Sequence, residues 1–199
     1  MSSKAVPLSI STKNIKATFR QNKTISSATD DILKAQGLSW AVRTALTYAN
    51  ITLKAKLYTE DDIEHYDVDQ IITGGISSEE RRILDGVERE KLNAVFGPVV
   101  SYANRLTLEE VGKIHEFLSK GWDESTQENG VIFAFARGDP SKKNGYEWES
   151  YQAIGFAEIV IDEDGNKERK YVSRLYFTSP SLNEPLLKTL VYDFEREGI

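Results

Sequence analysis

The stretch that most constrains the fold runs from Ala28 to Asn50 and reads as two short helices separated by a single glycine. Asp30 can cap the first helix, and Gly37 can end it in the left-handed conformation that glycine adopts without strain. Ser39 can cap the second helix, along which apolar residues recur at helical spacing. One strand-like run precedes this pair, and mostly strand-like runs follow it. We therefore predict a mainly β fold, an antiparallel up-and-down β-barrel of about eight to ten strands with a helix-turn-helix lid.

The strand predictions depend on alternation of apolar and polar residues. The clearest case is the run from Ile51 to Tyr58, whose apolar residues share one face of a strand. Gly155 lies within a long run and predicts a bend there. Short turns such as Asp162 to Asn166 join successive runs, which favours sequential hairpins over a parallel sheet. The predicted strands are 15–21, 51–58, 66–73, 81–84, 87–91, 99–106, 131–137, 147–161, 168–178 and 187–195.

One extra helix interrupts the strands. Thr107 and Glu110 have the spacing of a capping box, in which hydroxyl and carboxylate satisfy free amide groups at a helix start. Apolar residues follow at helical spacing, and Gly121 supplies a stop signal. The pattern predicts one helix over 108–120.

Composition bounds the class of protein. The absence of cysteine excludes disulfides and thiolate sites, and a net charge of −6 opposes binding to nucleic acid or anionic membranes through a general field. We find no run long and apolar enough for a signal peptide or a membrane span, which favours a cytoplasmic protein. No motif indicates a cofactor or a metal site, and the oligomeric state is left open. Residues 1–14 are predicted to form a flexible arm, and residues 15–199 a single β-barrel domain.

The chain resembles two related groups of proteins. Ala17-Thr18-Phe19, the segment 31–38, Val42-Arg43 and the strand from Ile51 resemble the opening of the intracellular fatty-acid-binding proteins. In that family a Gly-x-Trp strand precedes a helix-turn-helix lid. Here alanine and phenylalanine stand in place of the glycine and tryptophan. The segments 71–75 and 190–194 resemble the lipocalin-like (calycin) proteins of fungal genomes.

The resemblance implies a site for a hydrophobic ligand inside the barrel. The lipid carriers hold a carboxylate with an Arg-x-Tyr pair, and Arg174-Leu175-Tyr176 has that spacing. Both side chains project from the same strand face, where guanidinium and phenol can bind an anionic oxygen. The alternative is that Tyr171, Ser173, Leu175 and Phe177 face inward and Arg174 is solvated. Alternation alone does not decide which face is buried.

Aromatic residues supply the other candidates for ligand binding. The carboxyl-terminal half contributes the aromatic residues Trp148, Tyr151, Phe156, Tyr176 and Tyr192, and the second lid helix contributes Trp40. Such residues suit a pocket for a flat or hydrophobic ligand, although core packing uses the same types.

Two classes of function remain. The first is an intracellular binding protein for a small hydrophobic molecule of fatty-acid, polyketide or terpenoid type. The second is a cofactor-free cyclase or isomerase that holds a reactive conformer in the same cavity, with Tyr176, Tyr192 or His115 handling a proton. The sequence leaves open whether the chain is an enzyme.

Overall fold

A computed structural model describes residues 5–74, 76–93, 96–141 and 145–199. Ten strands form one antiparallel sheet in the order β4-β3-β2-β1-β10-β9-β8-β7-β6-β5. The strands are β1 Lys16–Gln21, β2 Ile51–Glu60, β3 Ile63–Ile72, β4 Ile76–Ile83, β5 Arg89–Asn93, β6 Gly97–Leu106, β7 Val131–Gly138, β8 Glu149–Val160, β9 Lys167–Thr178 and β10 Leu186–Glu197. All ten predicted strands are confirmed, with shifts at their ends.

The sheet curls into a barrel that stays open along one seam. The first and last strands pair with each other, so every strand except β4 and β5 has two hydrogen-bonded neighbours. Across the seam, Lys91 Nζ donates to the backbone oxygen of Glu79 at 3.4 Å. The seam therefore leaves two unpaired strand edges facing each other.

The helical lid lies between β1 and β2, as predicted. It comprises α1 Asp30–Ala35 and α2 Trp40–Tyr48. Gly37 has φ +85° and Ser39 caps α2, which confirms both signals. The cap of α1 differs, because Thr29 rather than Asp30 precedes the helix and makes no side-chain cap bond.

The predicted helix over 108–120 is two helices, and a third follows it. They are α3 Leu108–Ile114, α4 Glu116–Ser119 and α5 Glu124–Asn129. The capping box of Thr107 and Glu110 is present. The break falls at His115, which has extended backbone and whose Nδ1 accepts a hydrogen bond from Phe117 N. The histidine thus caps a new helix where the periodicity predicted a continuous one.

These three helices cover the outside of the barrel and create a second core. This segment contributes the buried residues Val111 of α3, Leu118 of α4 and Trp122 of the turn before α5, which pack on outward-facing residues of β7, β8 and β9. The structure gives Gly155, where a bend was predicted, a packing role, since a Cβ there would lie 2.6 Å from Thr126 Cγ2 of α5. Glycine lets α5 approach the strand closely.

The inner core fills the end of the barrel away from α1. It includes Phe19, Tyr66, Phe156 and Tyr171, all almost inaccessible to solvent. The amino-terminal segment closes this end. Val6, Ile10 and Thr12 are buried, so residues 5–14 are not the loose arm that was predicted, and residues 1–4 lie outside the described part of the chain.

Arg169 fixes that segment to the barrel. Its guanidinium donates to the backbone oxygens of Pro7 and Ile10 at 2.8 and 2.9 Å and pairs with Asp123 at 2.6 Å. Within the ranges that the structure describes, none of the helices combines the length and the apolar character that crossing a membrane requires.

Candidate functional site

A cavity of about 190 Å³ lies inside the barrel near α1. Residues of both β4 and β5 line it, so it reaches the open seam. Gln36, which follows α1 and precedes Gly37, lines the side of the cavity nearest to α1. Its apolar wall includes Phe96, Val99, Ala103, Ala134, Ala136 and Trp148, and its polar wall includes Arg82, Ser101, Ser150 and Gln152.

Trp148 is the largest aromatic residue on this wall. It stacks on Phe177 with ring centres 6.0 Å apart and meets the edge of Phe96 at 6.4 Å. Its indole edge lies against β7, where a Cβ on Gly138 would stand 2.6 Å from Nε1. Nε1 is buried and has no hydrogen-bond partner among the described residues. An indole N–H is a donor only, so this buried N–H, which lies behind the cavity wall against β7, is an unmatched donor.

Arg82 supplies a charged donor on the cavity wall. It lies on β4 opposite Tyr66 of β3, and its guanidinium carbon is 5.8 Å from the centre of that ring. Its charged neighbour is Glu80, 4.0 Å away on the same strand face. In the described part of the chain the guanidinium donates no hydrogen bond. Its side chain is 19% exposed, which leaves it accessible from the cavity.

Beneath Arg82 lies a cluster of three buried tyrosines. The hydroxyl groups of Tyr66 and Tyr171 share a hydrogen bond, and the ring of Tyr192 packs on Tyr171 with centres 5.4 Å apart. Burial raises the pKa of Tyr66 to about 12 and raises the pKa values of Tyr171 and Tyr192 as well. All three therefore stay neutral at ordinary pH and support the wall without ionising.

Gln152 also lies at the boundary between the cavity and the packed half of the barrel. Its Nε2 donates to the buried Ser173 Oγ at 2.6 Å. The side-chain carbonyl of Gln152 remains as an acceptor beside the cavity. The wall thus combines apolar surface with several polar and charged groups, and Glu80, Arg81, Arg89 and Lys91 line it along the seam.

The prediction that Arg174 and Tyr176 project into the barrel is wrong. Arg174 lies on the outer face of β9, where its Nη1 and Nη2 donate to the backbone oxygens of Phe117 and Gly121, each at 3.3 Å. Its guanidinium carbon is 4.8 Å from the ring centre of Trp122. Burial against these helices lowers its pKa. The inward alternative, with Tyr171, Ser173 and Phe177 buried, is the observed one.

Tyr176 and Tyr151 also face outward, away from the cavity. Tyr176 stacks on His115 with ring centres 4.5 Å apart, and Tyr151 follows at 5.5 Å from Tyr176. Tyr151 donates to Glu149 at 2.7 Å. Two of the three proton-handling candidates, Tyr176 and His115, are thus adjacent, but the sheet separates them from the third, Tyr192.

The remaining predicted residues divide between cavity, core and surface. Trp148 lines the cavity. Phe156 and Tyr192 lie inside the barrel but in its packed half. Trp40 is 72% exposed on α2 and covers no opening of the cavity.

Sequence reasoning missed Arg82 and the inward-facing Tyr66. The sequence of β4, Ile-Ser-Ser-Glu-Glu-Arg-Arg-Ile, is polar on both faces, so alternation gives no sign of which residues face inward. A barrel strand that is polar on both faces is itself a signal, because one of those faces must line the interior. Ser78, Glu80 and Arg82 occupy that face, opposite Gln70, Val68 and Tyr66.

Comparison with known proteins shows the fold. No protein-family model matches the chain. The apo lipid binding protein 8 of Caenorhabditis elegans superposes with a TM-score of 0.54 at 13% identity, over 90% of this chain and 94% of that chain. A Schistosoma mansoni fatty acid binding protein in complex with arachidonic acid gives 0.52 at 12% identity, over 94% and 100%. The chain therefore has the fold of the fatty-acid-binding proteins, as its sequence resemblance implied.

A sequence relative points in another direction. The chain is 28% identical over 129 residues to a probable pericyclase, scpY, of Mollisia scopiformis, a match that spans 62% of this chain and 67% of that protein. This sequence identity of 28% is higher than the 13% and 12% identity to the two lipid-binding proteins described above.

Proposed function

We propose that this chain binds a compact, mainly apolar small molecule in the cavity beneath α1. The observation that carries the proposal is a cavity inside the barrel, open towards the seam, whose wall combines apolar side chains with polar and charged groups such as Arg82 and Gln152. Apolar contact would supply most of the affinity, while the polar groups would fix the orientation of the ligand. The fold of the lipid carriers supports a ligand within the barrel.

The size of the cavity favours a compact ligand over a long acyl chain. A volume of about 190 Å³ is little larger than the roughly 150 Å³ that holds benzene in an engineered core, and it is below the roughly 300–1,000 Å³ of common ligand pockets. Phe19, Phe156 and Tyr171 fill the space into which an extended chain would continue. A long fatty acid would have to displace this packed core.

The test uses a bicyclic ketone, 1-tetralone, against oleate. In nuclear magnetic resonance titrations we expect tetralone to shift the amide signals of Ala134, Ser150 and Gln152 and to bind more tightly than oleate. Ala134→Leu fills the cavity and should weaken tetralone binding at least tenfold. Ala45→Leu makes the same change on the exposed face of α2 and should leave binding unchanged. Equal effects of the two variants would contradict a site inside the barrel.

A second candidate function is catalysis of a pericyclic rearrangement of the bound molecule. The specific observation in its favour is the probable pericyclase among the relatives. A pericyclic step reorganises bonds in concert, so a wall that holds the reactive conformer and a donor that polarises a carbonyl suffice to accelerate it. Neither requirement calls for a nucleophile or a resident cofactor.

Product analysis separates the two candidates. The protein is incubated with a panel of linear trienones that cyclise spontaneously by intramolecular cycloaddition. A catalyst would change the rate and the ratio of stereoisomers, and Ala134→Leu would abolish the change. A carrier would leave the ratio at its value in buffer, even for trienones that it binds.

A further inference from the structure

Packed side chains close the cavity at both ends of the barrel. At the end away from α1, the inner core fills the space, and Phe19 and Tyr171 are almost inaccessible to solvent. At the α1 end, Ile32 and Ala35 are buried in the same cluster as Trp148. A ligand that entered through either end would have to break close-packed contacts.

Polar contacts also hold α1 against the barrel. Lys188 Nζ of β10 pairs with Asp31 at 2.5 Å, and Arg43 pairs with Asp30 at 2.8 Å. The structure describes every residue of α2, and that helix has no buried side chain and contributes none to the cavity wall. Movement of α2 alone would therefore leave the cavity closed at this end.

The side of the cavity between β4 and β5 is built differently. These strands lie at opposite ends of the strand order, so no ladder joins them in the described chain. Both edges line the cavity, β4 through residues 80–83 and β5 through Arg89, Lys91 and Asn93. The exposed Lys91 crosses the gap and donates from Nζ to the backbone oxygen of Glu79 at 3.4 Å. This distance is longer than that of a strong hydrogen bond.

Of the two edges, β5 is the one that can move. It forms a ladder on one side, with β6, over 5 residues, and its side chains from Arg89 to Leu92 are exposed. The 8 residues of β4 all pair with β3, and Arg81 of β4 donates to Asp69 at 2.6 Å. A short segment with few buried contacts opens at a low free energy.

We propose that the ligand enters and leaves the cavity through the seam between β4 and β5, with β5 as the moving edge and Lys91 as a strap across the opening. The inference rests on the proposed binding function and adds the route by which the ligand reaches its site. The alternative route runs beneath α1. The two routes differ in which part of the barrel must move while the ligand passes.

Reversible crosslinks distinguish the two routes. The chain has no cysteine, so two introduced cysteines are its only thiols. Glu79→Cys/Lys91→Cys is crosslinked across the seam with a short bifunctional methanethiosulfonate, which a reductant removes. Asp31→Cys/Lys188→Cys, crosslinked in the same way, ties α1 to β10 and is the matched control. Nuclear magnetic resonance line shapes in titrations with 1-tetralone give the association and dissociation rates before and after each crosslink.

We expect the seam crosslink to slow association and dissociation about tenfold or more, because the edges can no longer separate, and the reductant to restore both rates. The dissociation constant should change less than about threefold, because both rates fall together. The α1 crosslink should change either rate less than about twofold. An α1 crosslink that slows exchange as much as the seam crosslink, or a seam crosslink without effect, would overturn the route and leave the binding function standing. Failure of the wild type to bind tetralone would refute the binding function itself.

Hydrogen exchange of the wild-type protein covers the case in which a crosslinked variant does not fold. The amides of β5 that donate to β6 should exchange faster than the amides of Leu33 and Gln36, which donate to the backbone oxygens of Thr29 and Ile32 at 3.0 and 2.9 Å. Exchange in β5 that is no faster than in α1 would mean that the helix opens as readily as the strand, and would overturn the inference.

Discussion

Arg82 and Tyr66 face each other across the β3–β4 ladder, with the guanidinium carbon 5.8 Å from the centre of the phenol ring. This pair marks the boundary between the two halves of the barrel. On one side Arg82 lines the cavity, and on the other Tyr66 is hydrogen-bonded to Tyr171 within the packed core. The same boundary limits the length of any ligand and places a cation at the end of the cavity.

The buried tyrosines predict a loss of stability at alkaline pH. Burial raises the pKa of Tyr66 to about 12, whereas an unfolded tyrosine titrates near pH 10. The neutral phenol is therefore favoured in the folded state. Its contribution is complete below about pH 10 and is lost as pH rises towards 12, at up to about 1.4 kcal/mol per pH unit for each such group. Urea unfolding between pH 8 and pH 11 measures the slope.

A variant isolates this effect from the lysines that titrate in the same range. Tyr66→Phe should make the free energy of unfolding fall less steeply with pH above pH 10, because one titrating phenol no longer contributes to the slope. At neutral pH it should also cost about 1–3 kcal/mol, because the buried hydroxyl of Tyr171 loses its partner. Tyrosinate absorbance from all nine tyrosines before any loss of structure would contradict the prediction.

Arg174 is predicted to support stability and not ligand binding. Arg174→Met removes two hydrogen bonds to the turns around α4 and the contact with Trp122, and should lower the free energy of unfolding by about 1–3 kcal/mol. Tetralone binding should change less than about twofold. The control is Arg196→Met, at an exposed position of β10, which should affect neither quantity. Weaker binding without a stability change in Arg174→Met would reverse the assignment.

Local signals explain which parts of this fold were predictable from sequence. The strands and the lid follow from alternation and from Gly37 and Ser39, whose effects act within a few residues. The inward face of β9 was not predictable from alternation, because both of its faces are covered. Tyr171 packs inside the barrel, and Tyr176 on the opposite face packs against the added helical segment. Both faces are therefore apolar. Arg82 was missed for the opposite reason, since β4 is polar on both faces.

The turn at Gly37 should tolerate no side chain for two separate reasons. Its φ of +85° strains any L residue, and a Cβ would overlap the ring of Tyr146. Gly165 has a similar φ of +80° with nothing within 4 Å, so Gly165→Ala measures the backbone strain alone, about 1–2 kcal/mol. Gly37→Ala should cost more than Gly165→Ala in thermal or urea unfolding. The excess should vanish when Tyr146→Ala is added, and its persistence would assign the cost to another contact.

The contact between Gly155 and Thr126 offers the sharpest test of how α5 docks. A Cβ on Gly155 would stand 2.6 Å from Thr126 Cγ2 and 3.2 Å from Trp122 Cε3, while Thr126 Oγ1 accepts a hydrogen bond from Phe156 N at 2.9 Å. Gly155→Ala should therefore destabilise the protein by about 1–3 kcal/mol through overpacking.

Two substitutions at Thr126 separate its methyl group from its hydroxyl. Thr126→Ser removes the obstructing methyl and keeps the hydrogen bond, so the double variant Gly155→Ala/Thr126→Ser should be more stable than the sum of the single changes by about 0.5–3 kcal/mol. Thr126→Val keeps a methyl and loses the acceptor, so it should rescue nothing and should add the cost of an unpaired Phe156 N–H. Urea unfolding of the wild type, the three single variants and the two double variants measures both coupling energies. Additive effects in both pairs would mean that α5 shifts to accommodate the methyl group, and that Gly155 is not what holds the helix close to β8.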